Sequence, residues 1–249
     1  MNHSPRFLRT FPLIFPLHFS LIFSPRRCFA VAAAVVVSGV LVAQASAAQP
    51  ISVAETLLFQ TNHLHNVRAP QTLTYAMRKE GSLEPGFVDE VQVIFTAGTA
   101  AKNPSVTMHF LTGARERPVP DTDNPEGNPV LLGFLERDIA EMARLTGGAG
   151  NYFRKRIRLA LAESAQVQPR RITYAGKAFD GREISITPYL NDPMHQRFEQ
   201  YVNKRYTFVV SDKVPGGLYQ IHAAVAGAAG KAPLMDETLT LVSAESGKR

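Results

Sequence analysis

The chain has 249 residues, 27 basic and 21 acidic, with a formal net charge of +6, one cysteine and no tryptophan. The length allows one or two domains. A sequence pI near 9.6 points to nucleic acid or an anionic surface only where the basic residues belong to the folded part, and their distribution argues against that.

Residues 1–47 carry Arg6, Arg9, Arg26 and Arg27, no Asp or Glu, and the sole cysteine, Cys28. Arg26-Arg27 precede an apolar run from Cys28 to Val42, and Ala45-Ser46-Ala47 follow it. This order of positive, apolar and small residues is that of a secretory signal peptide, with cleavage expected after Ala47. The run is shorter than the roughly 20 residues of a spanning helix, and an uncleaved N-terminal anchor is the alternative. Pro12 and Pro16 interrupt a second apolar stretch, Phe7 to Phe23, which reads as a long n-region or an upstream start. Arg26-Arg27-Cys28-Phe29 matches a twin-arginine signal only in part, because Pro25 precedes the pair and the usual polar residue is missing. Export by the general secretory route is therefore expected over the twin-arginine route. Two arginines before Cys28 exclude it as a lipid-attachment site.

Without the leader and its four arginines, residues 48–249 carry +2 rather than +6. Global charge then gives no case for nucleic-acid binding. The remaining chain has no cysteine, so neither a disulfide nor thiol chemistry is available. Its one near-match to an N-glycosylation acceptor, Asn103-Pro104-Ser105, is blocked by proline. A bacterial periplasm is the expected compartment. No repeat or low-complexity linker divides residues 48–249, and one domain with its own core is expected.

Ile51 to Asn66 reads as a short helix and loop, packed through Leu57, Leu58 and Leu64. Beyond Pro70 the pattern turns to period two. Leu73, Tyr75 and Met77 alternate with Thr72, Thr74 and Ala76; Val91, Val93 and Phe95 follow, then Val106, Met108 and Phe110. Alternation of this kind marks half-buried strands. Glu84-Pro85-Gly86 and Lys102-Asn103-Pro104 supply the turns of an antiparallel meander. A proline-rich loop from Gly113 ends at Asn128, which can cap a helix with Pro129 in its first turn. Leu131, Leu135, Ile139 and Met142 recur at helical spacing, with Glu136, Arg137, Asp138, Glu141 and Arg144 expected on the solvent side. Gly147-Gly148 is a left-handed cap. A second helix from about Asn151 carries Tyr152, Phe153, Ile157, Ala160 and Leu161 on one face.

Strands resume at Ile172 and Tyr174, with Asp180-Gly181 expected as a hairpin turn before Ile184 and Ile186. Asp192-Pro193 opens a short helix with Met194, Phe198 and Tyr201. Tyr206, Phe208 and Val210 form a strand, Pro215-Gly216 a type II turn, and Tyr219, Ile221, Ala223 and Val225 the return strand. Leu239 and Leu241 close the domain. The fold class is α+β: a curved, half-barrel-like antiparallel sheet with an inserted two-helix hairpin.

This element order, in an exported cysteine-free chain, resembles the LolA/LppX/RseB-like half-barrel group of envelope proteins over most of residues 52–244. That resemblance implies lipid or lipoprotein acyl chains as ligands, carried or sensed. The helix pair after the third strand departs from the group's pattern. Three stretches are similar to an uncharacterised family of exported proteobacterial proteins, which implies no activity. They are Asn128-Pro129 through Phe134-Leu135-Glu136-Arg137-Asp138, Tyr152-Phe153-Arg154, and Ser211-Asp212-Lys213-Val214-Pro215-Gly216-Gly217.

The densest basic cluster is Arg154, Lys155, Arg156 and Arg158, on the second helix after a glycine-rich turn. It is a candidate for an anionic headgroup, a phosphate or an acidic peptide. The alternative is a solvated helix face partly paired with Glu136 and Glu141. Tyr75, Phe95, Phe110, Tyr174, Phe208 and Tyr219 could line an apolar cavity beneath the helices, or form ordinary core. His63-Leu64-His65 offers two alternate imidazoles without a third ligand nearby, so no metal site is expected. Asp121, Asp123 and Glu126 fail the calcium-loop pattern at Glu126 and Leu132. Metalloprotease, serine-hydrolase and phosphate-loop motifs are absent.

The expected function is a periplasmic non-catalytic binding protein for an apolar or amphiphilic ligand of lipid or lipoprotein type. It is expected to have no cofactor, no nucleic-acid partner and no membrane-spanning segment beyond the leader. Two alternatives stand beside it: an envelope scaffold with a filled core and a protein partner on the basic helix, or an enzyme whose groups converge from distant segments.

Overall fold

The structure is a computed structural model that describes residues 50–98 and 105–247. The expected signal peptide with Cys28, and the turn at Lys102-Asn103-Pro104, lie outside the described residues.

Among the described residues, nine strands form one open antiparallel sheet. They are β1 (Gln71–Glu80), β2 (Phe87–Thr96), β3 (Ser105–Phe110), β4 (Thr122–Asp123), β5 (Gln166–Tyr174), β6 (Lys177–Ile186), β7 (Arg205–Val210), β8 (Leu218–Val225) and β9 (Met235–Ser246). Their spatial order is β4-β3-β2-β1-β9-β8-β7-β6-β5, so β9 lies between β1 and β8. The sheet is curved, and its register shifts at Thr74/Tyr75 and at Val209/Val210. Such bulges bend a strand and increase its local twist.

One face of the sheet is buried and the other meets solvent. In β1, Leu73, Tyr75, Met77 and Lys79 are buried while Thr72, Thr74 and Ala76 are only partly so. Val91 and Val93 of β2 stand opposite Tyr75 and Leu73. Ile221 and Ala223 of β8 and Leu239 of β9 extend the same apolar layer. This one-sided burial is why the period-two signal is legible in the sequence.

A three-residue helix, α1 (Val53–Glu55), starts with a capping box formed by Ser52 and Glu55 and runs into a wider turn to Gln60. The two long helices follow the loop after β4. Helix α2 (Pro129–Thr146) has Asn128 as N-cap, Pro129 in its first turn and Gly147 at φ 68° as its left-handed end. Helix α3 (Gly150–Glu163) buries Phe153, Ile157, Ala160 and Leu161. Helix α2 approaches the sheet closely: a Cβ at Gly133 would stand 2.9 Å from Met108 Cε and from Phe110 Cδ2.

Three sequence expectations are corrected. Asp180-Gly181 is not the hairpin turn; both residues sit inside β6, paired with Arg171 and Arg170. The turn is Ala175-Gly176, at φ 49° and 74°, two positive values as a type I′ turn requires. Gly181 serves close strand approach instead, since a Cβ there would lie 2.8 Å from the Val210 carbonyl oxygen. Strand β5 also starts at Gln166, ahead of the expected Ile172. Pro169, Arg170 and Arg171 break the alternation there, which an edge strand tolerates because it pairs on one side only. The segment after Asp192 forms two short 3₁₀ turns, His195–Arg197 and Glu199–Tyr201, rather than one helix.

His63 is buried where three segments meet. Its Nε2 donates to the Leu57 carbonyl at 2.8 Å, and its Nδ1 accepts from the Asn128 amide at 3.5 Å. Gly217 lies against it, 3.0 Å being all the room a Cβ would have. Burial pushes the imidazole below its ordinary value of 6.5, against the opposing bond to Leu57, and His65 adds to the fall. The neutral form therefore belongs to the fold. Stability from this group is complete above about pH 6.5 and is lost as the pH falls toward the folded-state value. Urea midpoints are expected to drop between about pH 7.5 and pH 5, with a smaller drop in His63→Gln. Equal slopes for the two proteins would show that His63 does not carry the effect.

Candidate functional site

A cleft of about 780 Å³ lies between the outer side of α2, the end of β3 and the loop that follows it. Its apolar wall includes Met108, Phe110, Leu111, Val119 and Leu132. Leu132 projects off the buried stripe of α2 and is 57% exposed. Leu111 turns the chain out of β3 at φ 67°, a left-handed conformation that costs a side-chain-bearing residue on the order of 1 kcal/mol. Its side chain is nonetheless buried, which holds the turn in place. The Phe110–Arg117 bridge then closes the loop, with the Arg117 amide donating to the Phe110 carbonyl at 2.9 Å.

The opposite wall is charged. Lys79 Nζ lies 2.9 Å from Glu84, 3.1 Å from Glu141 and 3.3 Å from Glu237. Arg137 grips Glu237 with two nitrogens, at 2.8 and 3.3 Å, and Arg144 joins Glu141 and Glu84. The guanidinium carbons of Arg115 and Arg137 lie 4.8 and 5.9 Å from the centre of the Phe87 ring. Burial alone would raise the Glu237 carboxyl, but Arg137 and then Lys79 outweigh it and hold it below the usual carboxylate range. Glu141 is likewise held well below that range: burial opposes ionisation there, and Arg144 and Lys79 overcome it.

Behind this wall Asp138 and Lys204 are both fully buried, 2.5 Å apart. Tyr206 donates to the other Asp138 oxygen at 2.6 Å, and the Tyr189 hydroxyl stands 3.3 Å from that of Tyr206. The Tyr206 phenol is pushed well above its ordinary value by burial and by the Asp138 charge. Asp138 was expected on the solvent side of α2 with Arg137, and this is corrected. The stripe Leu131, Phe134, Leu135, Asp138, Ile139, Met142 is buried as a unit, and Asp138 falls on it at i+3 from Leu135.

The four basic residues of α3 do not converge. Successive residues fan around a helix by about 100° each, so neighbours face apart. Arg154 pairs with Glu136 at 2.5 Å. Arg156 Nε lies 2.7 Å from the buried Asp192 Oδ2, a contact of charges in which the N–H is not aligned as a hydrogen bond. Tyr152 donates to the other Asp192 oxygen at 2.5 Å. Lys155 and Arg158 are exposed. Of the strand aromatics, Phe110 lines the cleft. Tyr75, Phe95 and Phe208 are buried in the core, whereas Tyr174 and Tyr219 are half-buried, the latter donating to the Thr173 carbonyl.

No protein-family model and no curated protein matches this chain. Several solved structures are similar to it, two of which follow. One is the lipoprotein LppX of Mycobacterium tuberculosis, at 8% identity and a TM-score of 0.31, covering 72% of this chain and 88% of that one. The other is a LolA superfamily protein from Nitrosomonas europaea, at 8% identity and a TM-score of 0.21, covering 79% and 94%.

The cleft residues that sequence reasoning missed were partly signposted. Lys79 and Glu237 occupy the inward parity of β1 and β9, in line with Met77 and Leu239, and Lys204 lies just ahead of β7, two residues before Tyr206. A charged residue in an apolar row is the signal, because it must find a partner indoors. Among the described residues no helix is long and apolar enough to cross a membrane.

Proposed function

We propose that this is a periplasmic, non-catalytic binding protein that holds an apolar or amphiphilic envelope ligand in the cleft between α2 and the loop after β3. One observation carries the reading: the cleft has an apolar wall of Met108, Phe110, Val119 and Leu132 facing a charged wall, and it is large enough for an acyl chain. An exposed leucine facing an apolar hollow lowers its free energy when a chain covers it. The lining carboxylates Glu84, Glu136 and Glu141 are each paired with Arg or Lys. They supply a fixed field rather than a free base, which supports binding over proton transfer. The leader sequence supports export. The core beneath the helices is filled by Tyr75, Phe134 and Phe208, which supports a ligand site outside it.

The test is a titration with the neutral apolar fluorophore N-phenyl-1-naphthylamine. Wild type is expected to enhance its fluorescence. Leu132→Glu, an exposed change with little effect on folding, is expected to weaken binding about tenfold, equivalent to losing part of one leucine's burial. Absence of binding by the wild type, or equal affinity in the variant, would reject the cleft. Native mass spectrometry of protein from its own host then identifies the ligand by mass. A peptide there instead of a lipid would favour an envelope scaffold.

A further inference from the structure

We infer that the cleft selects an amphiphile with a single oxyanion head, and that Arg117 is the residue that reads that head. This rests on the cleft being the ligand site. Four of the five cations that line it are already matched: Lys79 by Glu84 at 2.9 Å, Arg115 by Asp89 at 2.7 Å, Arg137 by Glu237 at 2.8 Å and Arg144 by Glu141 at 2.7 Å. The remaining lining carboxylate, Glu136, is held by Arg154 from α3. Arg117 has no carboxylate within 4 Å among the described residues. The cleft therefore carries one cation, Arg117, without a carboxylate partner among the described residues.

The position of Arg117 is fixed while its head is free. Its backbone is pinned to Phe110 by the bridge, and Phe110 is itself part of the apolar wall. A guanidinium offers a planar fork to a carboxylate or a phosphate, and both are matched by two parallel hydrogen bonds. A chain lying along Phe110, Met108 and Leu132 brings its head to the same end of the wall. The ligand class is then an acyl chain ending in one carboxylate or phosphate. A neutral amphiphile fills the apolar wall but leaves Arg117 unmatched.

The experiment measures displacement of N-phenyl-1-naphthylamine by dodecanoate, by dodecanol and by inorganic phosphate, at about pH 8 where the acid is ionised. It compares wild type, Arg117→Gln and Arg117→Lys. Wild type is expected to prefer dodecanoate over dodecanol by about tenfold. Arg117→Gln is expected to remove that preference and leave dodecanol affinity unchanged. Arg117→Lys keeps a smaller preference that added salt erases. Equal affinity of wild type for acid and alcohol overturns the role of Arg117 and leaves the cleft reading intact. So does an acid preference that survives in Arg117→Gln. Failure of both chains to displace the probe overturns the cleft itself. Phosphate displacing the probe as well as dodecanoate does overturns the need for a chain.

Discussion

Asp138→Ala is expected to cost about 3–5 kcal/mol of folding stability, read as a fall in urea midpoint at unchanged slope. The variant leaves the Lys204 ammonium in a fully buried site with its 2.5 Å partner gone. It also deprives the Tyr206 hydroxyl of its 2.6 Å acceptor. A buried charge without a partner is the costly outcome, because neither water nor protein solvates it. The same physics says that removing both charges together is mild. Asp138→Leu with Lys204→Met is expected to recover most of the loss, since an apolar pair of similar volume replaces an ion pair whose desolvation roughly cancels its attraction. A single-variant cost below about 1 kcal/mol, the scale of an exposed pair, would mean that the site is wet.

Asn128→Ala is expected to cost about 2–4 kcal/mol, more than an ordinary helix cap. The side-chain oxygen caps α2 by accepting from the Val130 amide at 3.1 Å. The side-chain nitrogen donates to Tyr75 and to the Gly216 carbonyl, both at 2.8 Å. The residue is 4% exposed, so every group released by the substitution is left without water. Asn128→Asp separates the two roles: it keeps the cap and loses both donors. Its stability is expected to fall at least as far as that of Asn128→Ala at neutral pH, because the new carboxylate is buried against the Gly216 carbonyl, and to recover as the pH is lowered and the carboxyl is protonated. A loss of only about 1 kcal/mol in Asn128→Ala would reduce the residue to a cap.

The strand pattern, the helix pair and its caps were legible in the sequence because each rests on local chemistry. Leu73-Tyr75-Met77 shows its alternation directly, and Asn128-Pro129 and Gly147 mark the ends of α2 by side-chain reach and backbone freedom. The Ala175-Gly176 turn was hidden by a stronger-looking Asp180-Gly181. Local turn preference was outweighed there by the close approach of β6 to β7. The cleft was harder still. Phe110 was legible as an apolar strand residue, but its neighbours in the cleft include Val119 from a loop and Leu132 from a helix. Their convergence depends on long-range packing that no window of sequence contains. The basic run on α3 drew attention by density, whereas the unmatched cation, Arg117, is inconspicuous in a loop that also carries Arg115. What distinguishes it is the set of partners given to the others.

The place of β9 in the sheet has a consequence for how the molecule is made. Strands β1 to β4 form one meander and β5 to β8 another, and no strand of the first pairs with a strand of the second. Their junction is β9, hydrogen-bonded to β1 on one side and β8 on the other. Until residues 235–246 emerge, β1 and β8 are both bare edges, and the apolar row Leu73-Tyr75-Met77 lacks its neighbours Leu239 and Leu241. Closure of this sheet therefore waits on residues 235–246, through contacts far apart in sequence and correspondingly slow to form.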